Sequence, residues 1–389
     1  MAHWRGDLRY RIGSDISFGS SSFPPDVLQA VEFDPPPMNE KLTDEPAPPG
    51  AMERVRLGCS DVYVTRLILG CAPLAGMYAP VDDRRAEAVL EASWDEGVRA
   101  FDTAPQYGVG LSEERLGVFL SDRMVGDAVV STKVGHLLVD SDDVVQGGDL
   151  FYGAPSRRLV DDYTKDGVRR SMAASLERLG RDRVDVALIH DPDNYAELAL
   201  TESYPALEEL RAEGVVRAIG VAMNHADTLT WLVERTDLDC VLIAGCYSLL
   251  DVPAAERLFP ACEKRGVSVL AAGIYRSGIL ADPRPGAHLD YVPAPGPVVE
   301  QVNRIRSVCE RHGVPLAAAA LQFVLANPAV TAAVVGAASP QEAHENAAHF
   351  RFTVPEDLFE ELAGAELTPA LPPSASHRTS SKPAAREEQ

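Results

Sequence analysis

Eight short apolar runs rich in β-branched residues alternate with longer amphipathic segments along the middle of this 389-residue chain, and no other feature of the sequence constrains the fold as strongly. The alternation is typical of parallel strands connected by crossover helices. The predicted strands cover residues 66–69, 99–102, 128–132, 184–189, 218–221, 240–243, 268–271 and 332–335. The predicted helices cover residues 83–96, 112–120, 165–179, 204–212, 226–234, 254–265, 298–312 and 316–326. Eight similar units favour an α/β fold closed into a (β/α)₈ TIM barrel, with an open doubly wound sheet as the alternative.

The two ends of the chain differ in composition from this region. Residues 51–367 are expected to form the barrel, with an N-terminal hairpin in MERVRLGCSDVYVTRLILG that plugs its bottom. Residues 1–50 contain FPPD, DPPP and EPAPPG with little apolar periodicity, so we expect a partly disordered N-terminal extension. Residues 368–389 are rich in Ser, Pro and charged residues, which cannot bury a core, and are expected to form a disordered tail.

The composition limits the classes of partner. Hydrophobic residues make up 46% of the chain and charged residues 24%, as in soluble globular proteins. The formal net charge of −22 argues against a nucleic-acid partner, because such a partner requires clustered Lys and Arg. No stretch approaches the ~20 apolar residues of a membrane helix, so no membrane partner is expected. The expected partner is a small-molecule substrate, and the sequence leaves open whether the protein is a monomer or a homo-oligomer.

Cysteine spacing and acidic segments bear on metal binding and on the compartment. The cysteines are Cys59, Cys71, Cys240, Cys246, Cys262 and Cys309. They form no C-x-x-C pair and no zinc-ligand grouping, so isolated buried thiols in a reducing compartment explain them best. The DSDD segment lacks the alternating oxygen ligands and the terminal Glu of an EF-hand, so no metal site is expected. The N-terminal MAHWRGDLRY has no apolar run behind its charges, and we expect a cytoplasmic protein.

Four ionisable residues fall at or just beyond the carboxyl ends of predicted strands. Asp102 ends AFD, Tyr107 lies in the following loop APQYGVG, Lys133 ends VVSTK and His190 ends VDVALIH. Each has an ordinary structural explanation when taken alone: a helix cap or turn former, a rim aromatic, a solvated strand end and a core histidine, respectively. In a parallel barrel, however, these strand ends meet at one mouth, where reactive groups collect. The combination therefore predicts a catalytic group.

The residue types in this group suit hydride transfer to or from a carbon–oxygen bond. A tyrosine is a poor acid or base at neutral pH, but a nearby ammonium favours the phenolate and lowers the pKa of the phenol. Lys133 is expected to have this effect on Tyr107, and Asp102 is expected to keep Lys133 charged and fixed. A neutral imidazole at His190 can hydrogen-bond the substrate oxygen and orient it, while a bound cofactor supplies the hydride.

Four separated motifs resemble those of the aldo-keto reductases: FDTAPQYGVGLSEERLG, VVSTKVG, SLERLGRDRVDVALIHD and VVGAASPQEAHEN. The resemblance covers residues 53–362 and agrees in order and spacing. Three segments, DTAPQYGVGLSEERLG, STKVG followed by HLL, and AGCYSLLD, are most similar to the D-threo-aldose 1-dehydrogenase group, which includes L-fucose, galactose and pyridoxal 4-dehydrogenase-like enzymes. The resemblance implies that Tyr107 is the general acid/base, Lys133 its pKa modulator, Asp102 the partner of Lys133 and His190 the orienting group.

Two residues close to these motifs are left outside the catalytic group. Glu113 and Arg115 lie in SEERLG, which is typical of a helix start. Ser112 is expected to cap this helix, with Glu residues in its first turn.

The resemblance also implies an extended nicotinamide dinucleotide across the barrel mouth. Asn224, with Met223 beside it, is expected to hold the carboxamide, although Asn224 also suits a helix N-cap. Tyr247 resembles the aromatic residue that stacks on nicotinamide, with a core aromatic as the alternative. Ser277 and Gly278 in YRSGIL match the pyrophosphate loop, although a plain turn looks similar.

The adenosine end of the cofactor gives a prediction about its type. Relatives that prefer the 2′-phosphate place Lys or Arg in the loop after strand eight or at the following helix start. This chain has Gly336, Ala338 and Glu342 there, and Glu342 repels a second phosphate but can accept hydrogen bonds from a free ribose diol. We therefore expect NAD, with NADP as the less favoured cofactor. Asn346 matches the family's adenine contact.

The resemblance implies oxidation of a sugar hemiacetal to a lactone, with a pyridoxal-type substrate as the nearest alternative. Two departures bear on the substrate: His136 and Cys246 stand where relatives often have Arg. The insert HLLVDSDDVVQGGDLFYGAPSRRLVDDYT is expected to supply part of the substrate pocket. An NADPH-dependent carbonyl reductase of a secondary-metabolite or detoxification pathway and a non-enzymatic nucleotide-sensing subunit remain as alternatives.

Overall fold

The computed structural model describes residues 52–121, 123, 128–141 and 151–372. The expected extension, residues 1–50, lies outside these ranges, as does residue 373 onward of the expected tail. Within the described part of the tail, Thr368 is buried, and the carbonyl of Leu367 just before it accepts a hydrogen bond from the side chain of Gln301 at 2.8 Å. The chain is therefore still packed on the fold at the start of the segment expected to be disordered.

Eight parallel strands close into a barrel, which confirms the (β/α)₈ prediction and excludes the open sheet. In order around the barrel they are β3 (Leu67–Gly70), β4 (Ala100–Asp102), β5 (Val129–Val134), β8 (Val184–His190), β9 (Val216–Met223), β10 (Cys240–Ala244), β11 (Ser268–Ala272) and β14 (Val330–Gly336). Neighbours in chain order are neighbours in space, so that each crossover helix returns the chain to the adjacent position.

Helices surround the barrel. They are α1 (Asp83–Asp95), α2 (Leu111–Ser121), α3 (Lys165–Leu179), α4 (Ala196–Leu198), α5 (Tyr204–Ala212), α6 (Ala226–Val233), α7 (Leu258–Arg265), α8 (Gly296–Arg311), α9 (Leu316–Leu325), α10 (Pro340–Arg351) and α11 (Glu356–Gly364). The predicted bounds of α3 and α5 agree with the structure. Helix α7 begins four residues later than predicted, because Pro253 starts a separate 3₁₀ turn, Pro253–Ala255, and Arg257 has non-helical backbone angles.

Among the described residues, three two-stranded antiparallel pairs lie outside the barrel. The first joins β1 (Arg54–Arg56) to β2 (Tyr63–Thr65), the second joins β6 (His136–Asp140) to β7 (Arg157–Asp161), and the third joins β12 (His288–Leu289) to β13 (Val292–Pro293). The first pair is the predicted N-terminal hairpin. The other two lie in βα loops at the carboxyl ends of β5 and β11, and therefore at the mouth of the barrel.

The N-terminal hairpin closes the bottom of the barrel. Leu57 and Val62 are fully buried and belong to the same apolar cluster as the inward-facing residues of the strands. The amide of Gly58 donates to the hydroxyl of Ser268, at the first residue of β11. Gly58 has a φ of +51°, and a Cβ there would lie 2.2 Å from the carbonyl oxygen of Asp239, so the hairpin requires glycine at this position.

All six cysteines lie in the described ranges and are free thiols. The expectation of buried thiols holds for four of them, whereas Cys59 in the hairpin loop is exposed and Cys246 at the mouth is half-buried. Within the described ranges, no helix combines the length and the apolar composition needed to cross a membrane.

Candidate active site

The four predicted catalytic residues meet at the mouth of the barrel. Asp102 is the last residue of β4, Lys133 is the fifth residue of neighbouring β5, and His190 is the last residue of β8, the next strand around the barrel. Tyr107 lies in the turn after β4. The turn continues through Gly108, Val109 and Gly110, all with positive φ, and this tight reversal returns the chain to the start of α2 directly after the tyrosine.

The ammonium of Lys133 connects the group. Its nitrogen donates to Oδ2 of Asp102 at 2.7 Å, to the backbone carbonyl of Thr103 at 2.8 Å and to the hydroxyl of Tyr107 at 3.1 Å. The hydroxyl of Ser131 donates to the second oxygen of Asp102 at 3.0 Å. All three donor positions of the ammonium are therefore used, which fixes the direction of the Lys133 side chain.

Burial and charge set the protonation states of this pair. Burial alone would lower the pKa of Lys133, but the charge of Asp102 and the contact with Tyr107 outweigh it and raise that pKa above its ordinary value. For Tyr107, burial raises the pKa, and the charge of Lys133 offsets this effect only in part. The sign of the lysine effect is as predicted, but the expected net lowering of the tyrosine pKa is wrong, because burial outweighs the charge of Lys133. Tyr107 is a phenol at neutral pH.

His190 faces the edge of Tyr107, with ring centroids 6.0 Å apart and planes at 88°. Burial, followed by the charge of Lys133, lowers the pKa of His190 well below its ordinary value, so the imidazole is neutral. Asp191 follows with a φ of +45°, and its Oδ2 lies 3.6 Å from Nε2 of His190. Burial and the charge of Asp193 raise the pKa of Asp191 to about 6.

The β6–β7 hairpin forms one side of the mouth. His136 pairs with Asp161 across the two strands, and Nδ1 of His136 lies 3.1 Å from Oδ1 of Asp161. Phe151, in the connection between the strands, approaches Tyr107 with ring centroids 6.4 Å apart. The DSDD segment begins at Asp140 and continues outside the described residues. Among the described residues, no cluster of three or more His, Cys, Asp or Glu has the arrangement of a metal site.

The residues predicted to hold nicotinamide separate into two environments. Met223 is buried at the end of β9, and the side chain of the next residue, Asn224, is exposed at the mouth. Tyr247 is 2% exposed, stacks against Phe323 and accepts a hydrogen bond from the side chain of Asn327 at 2.8 Å. These contacts are those of a core aromatic, the alternative left open by the sequence.

The predicted pyrophosphate loop is tied to the β12–β13 hairpin. Gly278 is exposed with a φ of +93°, and the hydroxyl of Ser277 accepts a hydrogen bond from the amide of Tyr291 at 2.9 Å. Arg276 is buried and forms ion pairs with Asp251 and Asp290, both at 2.5 Å. Because its hydroxyl is engaged in this way, Ser277 can offer phosphate a backbone N–H more readily than its side chain.

The predicted adenosine end lies between β14 and α10. Gly336 is exposed, and the amide of Ala338 donates to Oε2 of Glu342 at 2.8 Å. Asn346 is buried, and its amide nitrogen donates to the carbonyl of Gly336 at 3.1 Å. Nε of Arg85, in α1, donates to the carbonyl of Ala338 at 2.6 Å. A cation thus reaches this loop from another part of the chain, which the local sequence did not indicate.

A family model agrees with this arrangement. Residues 66–366 match the model described as the aldo/keto reductase family, which covers more than half of the chain. The chain belongs to the aldo/keto reductase family. It is therefore an oxidoreductase that acts on CH–OH or C=O groups with a nicotinamide cofactor.

Individual relatives of this aldo/keto reductase agree with that assignment. The chain is 41% identical over 307 residues to a D-threo-aldose 1-dehydrogenase from a Pseudomonas species, covering 77% of this chain and 93% of the relative. It is 38% identical over 336 residues to a pyridoxal 4-dehydrogenase from Microbacterium luteolum, covering 80% of this chain and 97% of that relative. The holo form of an aldo-keto reductase from Bacillus halodurans superposes with a TM-score of 0.65 at 25% identity, covering 82% of this chain and 97% of that structure.

The mouth of this aldo/keto reductase has a donor set that fits a nicotinamide dinucleotide. Asn224 presents an exposed amide, which can both donate to and accept from a carboxamide. No atom lies within 4 Å of where a Cβ of Gly278 would be, which leaves room for a ligand there, while the N–H of Gly278 itself donates to the carbonyl of Tyr275 at 2.9 Å.

Sequence reasoning missed several residues that support this site. Ser131 precedes Lys133 by two residues and therefore faces the same side of β5, a period-two signal that could have identified it. The intervening Thr132 faces outward, and its hydroxyl donates at 2.6 Å to Glu113, which is fully buried and also accepts from Arg178 at 2.6 Å. Ser112 lies inside α2 and donates to the carbonyl of Cys71 at 2.9 Å, so the expectation that it caps the helix is wrong.

Proposed function

We propose that this aldo/keto reductase is an NAD-dependent aldose 1-dehydrogenase, which oxidises a cyclic sugar hemiacetal at its anomeric carbon to a lactone. The observation that carries the proposal is the Lys133 ammonium, which is bonded at once to Asp102 and to the hydroxyl of Tyr107. This arrangement gives the mouth one proton-transfer group next to a fixed positive charge. The 41% identity to an enzyme named D-threo-aldose 1-dehydrogenase supports the substrate class.

The proton steps follow from the site residues. In oxidation, the phenolate of Tyr107 takes the proton of the anomeric hydroxyl, while the Lys133 ammonium stabilises that phenolate before transfer. His190 is neutral and can donate one ring N–H to the substrate oxygen, which fixes the anomeric carbon relative to Tyr107. A nicotinamide cofactor held by Asn224 would supply the hydride acceptor for that carbon. The products are a lactone, the reduced cofactor and one proton, which Tyr107 returns to solvent.

Each predicted cofactor residue has its own proposed role. Asn224 holds the carboxamide, with Met223 forming the apolar floor beside it. The backbone N–H of Ser277 binds the pyrophosphate, with Gly278 beside it providing space, and backbone groups at Gly336 and Ala338 border the adenosine. Tyr247 does not stack on the nicotinamide but packs against Phe323 in the core beneath the site. Asn346 keeps the Gly336 carbonyl in place beside the adenine.

The preference for NAD rests on Glu342, whose carboxylate lies at the loop that would meet a 2′-phosphate. Arg85 supports the second candidate, an NADPH-dependent carbonyl reductase, because its guanidinium reaches the same loop. The Nε of Arg85 is already engaged with a carbonyl, and Glu342 adds a negative charge there. We therefore favour NAD.

Absorbance at 340 nm tests the proposal. The purified protein is mixed with NAD or NADP and with L-fucose, L-galactose, D-arabinose or pyridoxal, and we expect NADH formation with at least one aldose. Tyr107→Phe should retain nucleotide binding and lose turnover by about 10²–10⁴-fold. Tyr204→Phe, which removes a hydroxyl that contacts Glu208 on α5, is the matched control and should behave as wild type.

Each other outcome of the same assay selects an alternative. NADH formation with pyridoxal alone would replace the sugar with a pyridoxal-type substrate, and reduction of free aldehydes with NADPH would favour the carbonyl reductase. Tight nucleotide binding without turnover of any compound would favour the sensing subunit. Turnover by Tyr107→Phe within tenfold of wild type would contradict the role of Tyr107.

A further inference from the structure

His136 is a buried side chain at the mouth that the proposed reaction does not yet use. It is 8% exposed and lies between Tyr163 and His190, with ring centroids 5.8 Å and 5.6 Å away. The angles between the ring planes are 74° and 69°, so His136 meets both neighbours edge to face. These contacts place a second imidazole directly beside the one proposed to orient the reacting oxygen.

Asp161 determines which nitrogen of a neutral His136 carries the proton. The two residues are directly opposite each other in the β6–β7 hairpin, with Nδ1 of the imidazole 3.1 Å from Oδ1 of the carboxylate. The hydrogen bond from His136 lowers the pKa of Asp161, so the carboxylate is ionised and can only accept. Nδ1 is therefore the donor, and Nε2 has a free lone pair.

This Nε2 has no hydrogen-bond partner among the residues that the structure describes. It is buried without a hydrogen bond, and so is Nδ1 of His190. A buried acceptor without a donor is unfavourable, and a ligand group bound beside His190 is in a position to supply that donor. The chemistry of that ligand group is limited to O–H or N–H.

We propose that Nε2 of His136 accepts a hydrogen bond from the substrate hydroxyl on the carbon next to the reacting carbon, which for an aldose is the C2 hydroxyl. His190 and His136 then bind adjacent oxygens of one molecule. His136 is a specificity-determining residue, and Asp161 is a positioning residue that keeps the imidazole in its accepting form. The inference rests on the proposed aldose dehydrogenase function and selects sugars with a free C2 hydroxyl over deoxy analogues and simple aldehydes.

The experiment compares kcat/KM for L-fucose and 2-deoxy-L-fucose with NAD. We expect wild type to prefer L-fucose by about 10–100-fold, the discrimination typical of a buried acceptor deprived of its donor. In His136→Phe the ratio of the two kcat/KM values should fall to within about threefold. The kcat/KM for L-fucose should decrease, and that for 2-deoxy-L-fucose should stay the same. His312→Phe, which removes an imidazole bonded to Glu361 at 2.7 Å, is the matched control and should keep the wild-type ratio.

Asp161→Asn separates positioning from packing. The variant should lower the L-fucose preference without abolishing turnover of the deoxy sugar, because only the accepting form of His136 is lost. ¹⁵N NMR of histidine-labelled protein with NAD should show the Nδ1–H form of His136 in wild type and its loss in Asp161→Asn. An unchanged sugar ratio in both His136→Phe and Asp161→Asn would overturn the inference while leaving the aldose activity intact.

The same NMR experiment distinguishes failure of this inference from failure of the proposed function. If wild type oxidises neither sugar, the aldose dehydrogenase proposal fails. In that case, the ¹⁵N signal of Nε2 of His136 is followed while L-fucose is added to the protein with NAD. A shift with L-fucose that is absent with 2-deoxy-L-fucose would support the hydrogen bond independently of turnover. No shift with either sugar would overturn it.

Discussion

The ammonium nitrogen of Lys133 lies 2.7 Å from Oδ2 of Asp102, with 1% and 4% of the two side chains exposed. Removing one partner of such a buried pair leaves the other charge without compensation, which typically costs about 3–5 kcal/mol. Lys133→Met should therefore lower the urea midpoint of unfolding as well as abolish turnover. The matched control is Lys165→Met, which breaks a surface pair with Glu209 and should leave both measurements unchanged. Retained turnover with a normal pH profile in Lys133→Met would remove the lysine from the proposed mechanism.

The protonation of Tyr107 predicts opposite pH dependences for the two directions of the reaction. Burial raises the pKa of Tyr107, so the phenolate that oxidation requires is a minor species at neutral pH and increases as the pH rises. The value of kcat/KM for sugar oxidation should rise by about tenfold per pH unit from pH 6 toward alkaline pH. Aldehyde reduction uses the phenol and should stay flat over the same range. An oxidation rate that is independent of pH between 6 and 9 would contradict this assignment.

Glu113 is predicted to contribute to stability and not to chemistry. Its buried carboxylate accepts hydrogen bonds from Thr132 and from Arg178, so Glu113→Ala removes the ion-pair partner of Arg178 and leaves its charge opposite the hydroxyl of Ser175. We expect a loss of roughly 3–5 kcal/mol in the free energy of unfolding. The adjacent Glu114→Ala breaks a more exposed pair with Arg157 and should cost less than ~1 kcal/mol. Equal losses in the two variants, measured by urea unfolding, would show that burial of Glu113 does not matter.

The choice of cofactor depends on two opposite charges at the loop after β14. Glu342→Gln removes the negative charge and should strengthen NADP binding relative to NAD, by about tenfold or less for exposed charges. Arg85→Gln removes the cation and should weaken NADP binding. Dissociation constants from quenching of intrinsic fluorescence measure both effects, and Glu345→Gln, three residues further along α10, is the control. Tighter binding of NADP than of NAD by wild type would reverse the proposed preference.

The periodic part of the fold could be predicted from the sequence. Helix α3 has the predicted bounds because Thr164 accepts a hydrogen bond from the amide of Gly167 at its start, and Gly180 ends it with a φ of +62°. These signals are local, and each acts within a few residues. The strands were predicted for a similar reason, since each is a continuous apolar run between turn residues.

Contacts between distant segments could not be predicted in the same way. The partner of His136 is Asp161, 25 residues later, and their pairing depends on the register of β6 and β7. Nothing in the local sequence specifies that register. Arg85 is a further example, because it lies in α1 and reaches the carbonyl of Ala338. The predicted direction of the Tyr107 pKa shift was also wrong, because residue types do not reveal how deeply a phenol is buried.

The hairpin at the bottom of the barrel has a consequence for the order of events during turnover. Leu57 and Val62 fill the axis at the end opposite Tyr107, so the barrel is not a tunnel. Nucleotide and sugar must therefore enter through the same mouth of the barrel. The ligand that lies deeper has to bind first and dissociate last. With the nucleotide as the deeper ligand, we expect ordered kinetics in which product inhibition is competitive only between the two forms of the nucleotide.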